Sequence, residues 1–390
     1  MNIHIYPSTF QNESRIIKII HTLRKSEVFE RVIVIALWKY GLPKHEVLHE
    51  GIEVVRILPL FGKGMTGVIG RLLRVVGWHI GVLREVRRFK IDCLSSHSWH
   101  VLPLSFLIKV WKKCILIYEP HELETETVGL VGWRKMLARF TERLLIHKAA
   151  SVCVVNQSIA NWYSSNYDIN HVWVVHNVPY RMPSLPERTG LLRAAIGLSR
   201  SDNQLLFIYQ GLLTKGRGIE NLIEVFVDLD NTKHLVFMGY GELDGFVKSI
   251  ANDYQNIHYI PAVAPSLVKD YTVDADIGLC IADNICLSYY YGAPNKMFEY
   301  AACGVASIVS DFPEMSRFVV GEDCGWVINP DKIELKNLIL NIDEDALLIK
   351  RSNAIKAGFN YCWENEEQKL LLMYKHVFQK SNKTNSRVSM

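Results

Sequence analysis

Three stretches in the second half of the chain set glycine and positive charge where a strand would turn into a helix. They are YQGLLTKGRGIENLIE at 209–224, MGYGELDG at 238–245 and PNKMFEY at 294–300. Such stretches suit a phosphate-bearing ligand, because glycine lets the backbone approach and basic side chains supply the countercharge. In the first, Gly211, Gly216 and Gly218 are the close-approach positions, and Lys215 and Arg217 carry the charge. The spacing is not that of a P-loop, and a solvated turn would look the same. The second reads G-x-G-x-x-x-G through Gly239, Gly241 and Gly245, one residue too long for a dinucleotide fingerprint. A nucleotide near Gly241 fits it better than a dinucleotide does.

The third stretch raises a conflict. Pro294 and Asn295 read as a helix start, with Asn295 as the cap, and Gly304 as its stop. Lys296 then lies in the first turn, facing the positive end of the helix dipole, where a cation costs roughly 0.3–1 kcal/mol. A bound anion held by backbone N–H groups and the ammonium would reverse that sign. The alternative is a lysine that points into water. Glu299, one turn on, is placed to accept hydrogen bonds from ribose hydroxyls, or is an ordinary acid near a helix start.

In the first half, YEPHELETE (118–126) follows the strand-like CILIY, so His121 sits at a strand end among acids, a candidate for catalysis or sugar contact. SSHSWH (95–100) ends another strand the same way and makes His97 a weaker candidate, with Trp99 and His100 read as packing or acceptor-side residues. Two D-x-D strings, Asp228–Asp230 and Asp274–Asp276, invite a metal reading, but each borders an element and is better read as structural. No Cys or His spacing suggests a metal centre, and none is expected.

The elements that would position these residues alternate between short β-branched runs and amphipathic helical patterns. RVIVIAL, IEVVRIL, CILIYE, SVCVVN and VWVVHN are strand-like in the first half; QLLFIYQG, HLVFMG, IHYIPAV, IGLCIA and ASIVS in the second. That alternation predicts an α/β fold with mainly parallel sheets, and ligands at the C-terminal ends of the strands. The proline-rich, aperiodic NVPYRMPSLPERTG (177–190) is the natural boundary. The expected organisation is residues 1–180 as one doubly wound domain and 181–360 as a second. A final helix over 361–380 would pack back on the first domain, and a disordered tail would occupy 381–390.

The chain has 390 residues, 49% apolar and 22% charged, with a net charge of +4. The balance is uneven: residues 1–180 hold 23 Lys/Arg against 14 Asp/Glu, and the rest 21 against 26. Opposite signs suggest halves with different partners. Eight scattered cysteines without a C-x-x-C pair read as reduced thiols of a cytoplasmic protein. No spanning helix or signal peptide is apparent. The stretch VIGRLLRVVGWHIGVLREVRRFK (68–90) is apolar and basic, with Arg71, Arg74, Arg84, Arg87, Arg88 and Lys90. It is expected to lie against anionic lipid on the inner face of the plasma membrane, or else to be a domain helix with a solvated face. No nucleic-acid module is apparent.

Taken in order, YEPHEL, ERLLIHKAASVCVVNQSIANWY, VVHNVP, YQGLLTKGRGIENLI, MGYGE, YTVDADIGLCIA and PNKMFEYAACGVASIVSDFPE resemble the family 4 glycosyltransferases, in the branch with a PNKxxE motif. The resemblance runs from ESRIIKIIHTL to about residue 330. It implies a GT-B fold, two Rossmann-like domains facing a central cleft, and a retaining, metal-independent transfer from a nucleotide-sugar. The donor would bind mainly to the second domain, through Gly211, Lys215, Gly218, Gly241, Asn295 and Glu299, and no separate cofactor is implied. Arg217 matches the family's diphosphate-contacting basic residue, Glu299 its ribose-contacting acid and His121 its histidine beside the transferred sugar. Lys296 joins Arg217 at the diphosphate. Two positions depart from the pattern: Tyr291 stands where the first Glu of E-x7-E would fall, and Leu212 where an Arg is common.

The resemblance thus implies a cytoplasmic glycosyltransferase that extends a glycan or lipid-linked acceptor in bacterial surface polysaccharide assembly, such as lipopolysaccharide or capsule. Its rivals are a GT-B nucleotide-sugar epimerase, which would turn over donor without acceptor, and a non-catalytic nucleotide-binding partner subunit. A metal-dependent transferase is a further alternative, which loses its activity to a chelator.

Overall fold

The computed structural model describes residues 1–62, 64–184, 187–199 and 204–388, with side chains to residue 380. The chain divides into two compact units, Met1–His176 with Glu367–Met390, and Asn177–Glu366. The first crossing falls at the start of the proline-rich stretch. The end of that stretch and the residues just after it, 188–193, are pinned inside the second unit: Asp274 accepts from the backbone N–H of Gly190 and Leu192, and Asp276 meets Arg188 and Arg193.

The first unit is built on strands β1 (Asn2–Ile5), β2 (Val32–Leu37), β3 (His45–His49), β4 (Ile52–Ile57), β5 (Cys93–Ser96), β6 (Ile115–Tyr118), β7 (Ser151–Val154) and β8 (Trp173–Val174). They form one sheet in the order β3-β4-β2-β1-β5-β6-β7-β8. All neighbours are parallel except β3, which runs antiparallel to β4 at the edge. The central strands are buried along their length, as runs such as VIVIAL and SVCV require when helices cover both faces. Behind β6, the Glu142 carboxylate accepts hydrogen bonds from the hydroxyls of Tyr118, Tyr163 and Tyr167 at 2.5–2.7 Å. The last helix, Trp363–Val388, returns to this unit: Tyr374 is buried with its hydroxyl 3.0 Å from Ser95 Oγ, and its ring lies against Phe29. The helical backbone extends through Val388, where a disordered tail was expected; the last two residues lie outside those described.

The second unit carries β9 (Leu205–Leu212), β10 (Lys233–Tyr240), β11 (Ile257–Pro261), β12 (Ile277–Cys280), β13 (Ala306–Ser310) and β14 (Gly325–Ile328). The order is β11-β10-β9-β12-β13-β14, with every pair parallel. Parallel strands put all their C-terminal ends on one edge. The sheet reverses its winding between β9 and β12, which opens a crevice there. In the first unit the same reversal falls between β1 and β5. Among the described residues no helix is long and apolar enough to cross a membrane. Seven of the eight cysteines are buried and all are free thiols.

Candidate active site

At the crevice of the second unit, β9 runs out through Gly211, and the basic loop turns into the helix Ile219–Val227 at Gly218. Gly218 has φ +70°, and a Cβ there would meet Ile281 Cγ2 at 2.8 Å, so the loop needs glycine for both conformation and space. The Asp283 N–H donates to the Gly216 carbonyl at 3.0 Å, which ties the β9 loop to the segment after β12. That segment forms a short helix, Leu287–Tyr290, whose Tyr289 ring carries the Arg217 guanidinium 5.0 Å from its centroid. Arg217 Nε is buried with no hydrogen-bond partner.

The helix Asn295–Ala302 ends as its sequence requires. Gly304 is left-handed at φ +67°, its N–H bonds to the Ala301 carbonyl and that of Val305 to the Tyr300 carbonyl, a Schellman stop. Its start differs from expectation. Pro294 occupies the cap position, and Asn295 is the first helical residue, exposed and without a side-chain cap. Proline's fixed φ already suits the entry, so Asn295 has no capping role. Gly358 of the helix Glu344–Asn360 allows close packing on this helix; a Cβ there would lie 2.6 Å from Ala302 Cα.

Lys296 does not point into water. Its side chain is buried, Nζ lies 3.3 Å from the centroid of the Tyr209 ring on β9, and Nζ has no hydrogen-bond partner. Burial pushes its pKa from 10.5 down to about 7; Cys280 and Glu299 oppose that shift, and Arg217 adds to it. Two cationic groups at one crevice, each with an unbonded buried nitrogen, form a site that lacks a countercharge. An anion satisfies both.

Glu299 is oriented by Gln210, whose Nε2 donates to Oε2 at 2.5 Å, while Gln210 Oε1 accepts from Thr272 Oγ1 at 2.7 Å. The Tyr300 hydroxyl accepts from Gln210 N–H and faces the carbonyls of Ile208 and Leu279 at 3.2 and 3.3 Å. The helix is therefore bolted to β9 and β12 at the crevice. Gln210, Tyr209 and Tyr289 are residues that sequence reasoning passed over. The string YQG held two of them, but the partners lie tens of residues away.

Other expected residues stand apart from this cluster. Lys215 is exposed, and its backbone N–H is engaged at 3.0 Å by Glu242, which also accepts from Thr214 Oγ1. Gly241 is needed for packing: a Cβ there would lie 2.1 Å from the Leu213 carbonyl oxygen. Gly211 has φ +115° with open space where a Cβ would project. The D-x-D strings are engaged structurally, Asp228 by Lys336, Asp230 by Thr232, and Asp274 and Asp276 as described.

His121 belongs to the first unit, in the loop after β6. Its Nε2 is 3.0 Å from His97 Nδ1, and its ring lies 5.1 Å from that of Tyr6. The rings of Trp99 and His100 lie with centroids 4.0 Å apart and tilted by 31°, and His100 is exposed.

Residues 18–199 match the glycosyl transferase 4-like domain, and residues 204–345 the glycosyl transferases group 1 domain. An uncharacterized glycosyltransferase of Methanocaldococcus jannaschii is 23% identical over 367 residues, covering 87% of this chain and 88% of its own. Among solved structures, sucrose-phosphate synthase of Thermosynechococcus elongatus superposes with a TM-score of 0.77 at 13% identity, covering 97% of this chain and 99% of that one. Anabaena HepE, solved with UDP and glucose, gives 0.71 at 14% identity, with 96% and 99% covered. WaaG, a glycosyltransferase involved in lipopolysaccharide biosynthesis, gives 0.68 at 13% identity, with 95% and 98% covered.

Proposed function

Since the chain belongs to the GT-B glycosyltransferases, with a glycosyl transferase 4-like first half and a group 1 second half, we propose that it moves a sugar, with retention and without a metal, from a nucleotide-sugar to a glycan or lipid-linked acceptor. The observation that carries the donor site is the pair of cations at the β9/β12 crevice, Lys296 and Arg217, with buried nitrogens that no protein group satisfies. A nucleoside diphosphate supplies the missing anion. Anabaena HepE, of the same fold, was solved with UDP and with UDP-glucose.

In this reading the ammonium and guanidinium offset the charge that grows on the departing diphosphate. That stabilises the transition state more than the ground state. A phosphate oxygen of the leaving group takes the acceptor's proton on the same face, so the anomeric configuration is kept. Glu299, held by Gln210, receives the ribose hydroxyls. His121 steadies the transferred sugar. Tyr291, in place of a family carboxylate, leaves the sugar contacts near that position uncharged.

Peripheral membrane contact fits the surface of the first unit. The helix Gly67–Val86 exposes Val68, Ile69 and Leu72 beside Arg71, and the helix Gly132–Ile146 exposes Trp133, Met136 and Phe140. Among the expected lipid-facing arginines, Arg74 folds back onto the carbonyls of Gly62 and Met65, and Arg88 pairs with Glu85 at 3.6 Å while staying exposed. Surface polysaccharide assembly at the cytoplasmic face is the setting proposed for this acceptor side.

Thermal-shift titration with UDP, GDP, ADP and CMP, each with and without Mg²⁺, tests the donor site. One nucleotide should raise the melting temperature without metal, and Arg217→Ala should abolish the shift. No shift with any nucleotide would sink the proposal and favour a partner subunit.

A further inference from the structure

The Glu299 carboxylate is held by a relay that begins in another part of the second unit. Between β11 and β12 the chain makes a five-residue helix, Val268–Thr272, and Thr272 at its end is fully buried. Thr272 Oγ1 lies 2.7 Å from Gln210 Oε1 and 2.7 Å from the Val268 carbonyl one turn back. Gln210 in turn places Nε2 2.5 Å from Glu299 Oε2. Strand β9, the helix Asn295–Ala302 and this short helix therefore meet on one amide side chain.

Nothing about the strand itself requires a glutamine at 210. Its neighbours Phe207, Ile208 and Tyr209 are apolar or aromatic, as a strand covered on both faces demands. At 4% exposure the Gln210 side chain is costly unless both ends of its amide are bonded. Both ends are, one to Thr272 and one to Glu299. The backbone N–H of Gln210 also donates to the Tyr300 hydroxyl at 3.2 Å, so residue 210 grips the helix of Glu299 twice.

The far end of the relay is anchored as well. Thr189 Oγ1 donates to the Asp270 carbonyl at 2.6 Å, and Asp274 accepts from the N–H groups of Gly190 and Leu192 at 2.7 and 2.8 Å. The short helix is thus fastened on both sides of Thr272. A carboxylate only accepts, which turns Nε2 of the amide toward Glu299. The Thr272 hydroxyl can meet either end of an amide, so its hold on Gln210 does not depend on that orientation.

We propose that Thr272 and Gln210 are positioning residues that fix the Glu299 carboxylate for the hydroxyl pair of a ribose, and so make the site select ribonucleotides over 2′-deoxyribonucleotides. The ribose contact of Glu299 rests on the donor-site reading above; the relay that aims it goes beyond that reading. A carboxylate free to swing would re-form its contacts on a lone 3′-hydroxyl. One clamped at Oε2 loses a hydrogen bond outright when the 2′-hydroxyl is missing.

Calorimetric titration of the full chain with UDP, GDP and ADP, each beside its 2′-deoxy form, reads the selectivity. The wild type should prefer the ribonucleotide it binds by about 10- to 100-fold, the worth of one hydrogen bond to a charged group. Thr272→Val removes the hydroxyl and keeps the shape; it should cut that preference to about threefold or less, and Thr272→Ser should keep it. Gln210→Met breaks the next link and should give the same low ratio, with no further loss when the two are combined. A packing role would lower stability or overall affinity and leave the ratio alone. A wild-type ratio in Thr272→Val or in Gln210→Met, while Glu299→Gln abolishes it, overturns the relay and leaves the donor-site reading standing. No nucleotide binding, no ribose preference in the wild type, or a preference that survives Glu299→Gln removes the ribose role of Glu299 and the proposal with it.

Discussion

Replacing Lys296 with methionine should stabilise the free protein and destroy its affinity for nucleotide. A pKa held at about 7 instead of 10.5 means that the charged form is disfavoured in the fold by about 5 kcal/mol. The Tyr209 ring face, 3.3 Å from Nζ, returns about 2 kcal/mol, as a desolvated cation–π contact does. The net burden is about 3 kcal/mol. The folded pKa lies below the unfolded one. Below pH 7 both states hold the proton and the burden is full; between pH 7 and 10.5 only the unfolded chain holds it, so wild-type stability rises with pH. Lys296→Met should therefore melt about 6–12 °C higher than wild type at pH 6, with the gap narrowing at pH 9. Nucleotide binding draws on the same proton. Wild-type protein at pH 8 should take up close to one proton per nucleotide bound, and affinity should fall about tenfold per pH unit above 7. Titration calorimetry in two buffers of different ionisation enthalpy reads the uptake directly. Zero uptake, with a methionine variant less stable at pH 6, would refute an uncompensated buried cation.

Further outcomes follow from the same geometry. Arg217→Ala should lower turnover about 10²-fold, the loss of one transition-state donor, read in a sugar-transfer assay. Glu299→Gln should weaken free nucleotide binding in calorimetry, whereas an unchanged dissociation constant would make Glu299 a structural acid. Gly358→Leu should destabilise by about 1–3 kcal/mol in urea titration, and it should weaken nucleotide binding as well, because the Lys296 helix, which carries Ala302, must move away from the helix Glu344–Asn360. Substituting Arg84, Arg87 and Arg88 by Gln should reduce flotation with anionic liposomes; unchanged flotation would remove the membrane role of that surface.

Much of this arrangement was legible in the sequence. Buried parallel strands announce themselves as apolar runs, and the strand–loop–helix junctions at 209–224 and 294–300 are local patterns. The conflict over Lys296 was also legible, since charge against a helix dipole is a local quantity. Its resolution was not, because Tyr209 lies beneath it only through the adjacency of β9 and β12. For the same reason the partners of Glu299 and Arg217 escaped notice: Gln210 and Tyr289 reach them across the crevice. Strand β1 gave no signal, as an apolar run too short to read as a strand. Asn295 misled because asparagine is a good cap in isolation, whereas the preceding proline had already set the entry.

The return of the last helix to the first unit has a consequence for biosynthesis. The second unit is one unbroken segment, Asn177–Glu366, and every strand of its sheet has emerged before the final helix begins. The first unit is different. Its core is short of Tyr374, which closes over Ser95, Glu119 and Phe29, until the last part of the chain is made. The half translated first is thus the half completed last, with an unfilled apolar slot exposed through most of synthesis. A chaperone that follows this chain on the ribosome would be guarding its beginning, not its end.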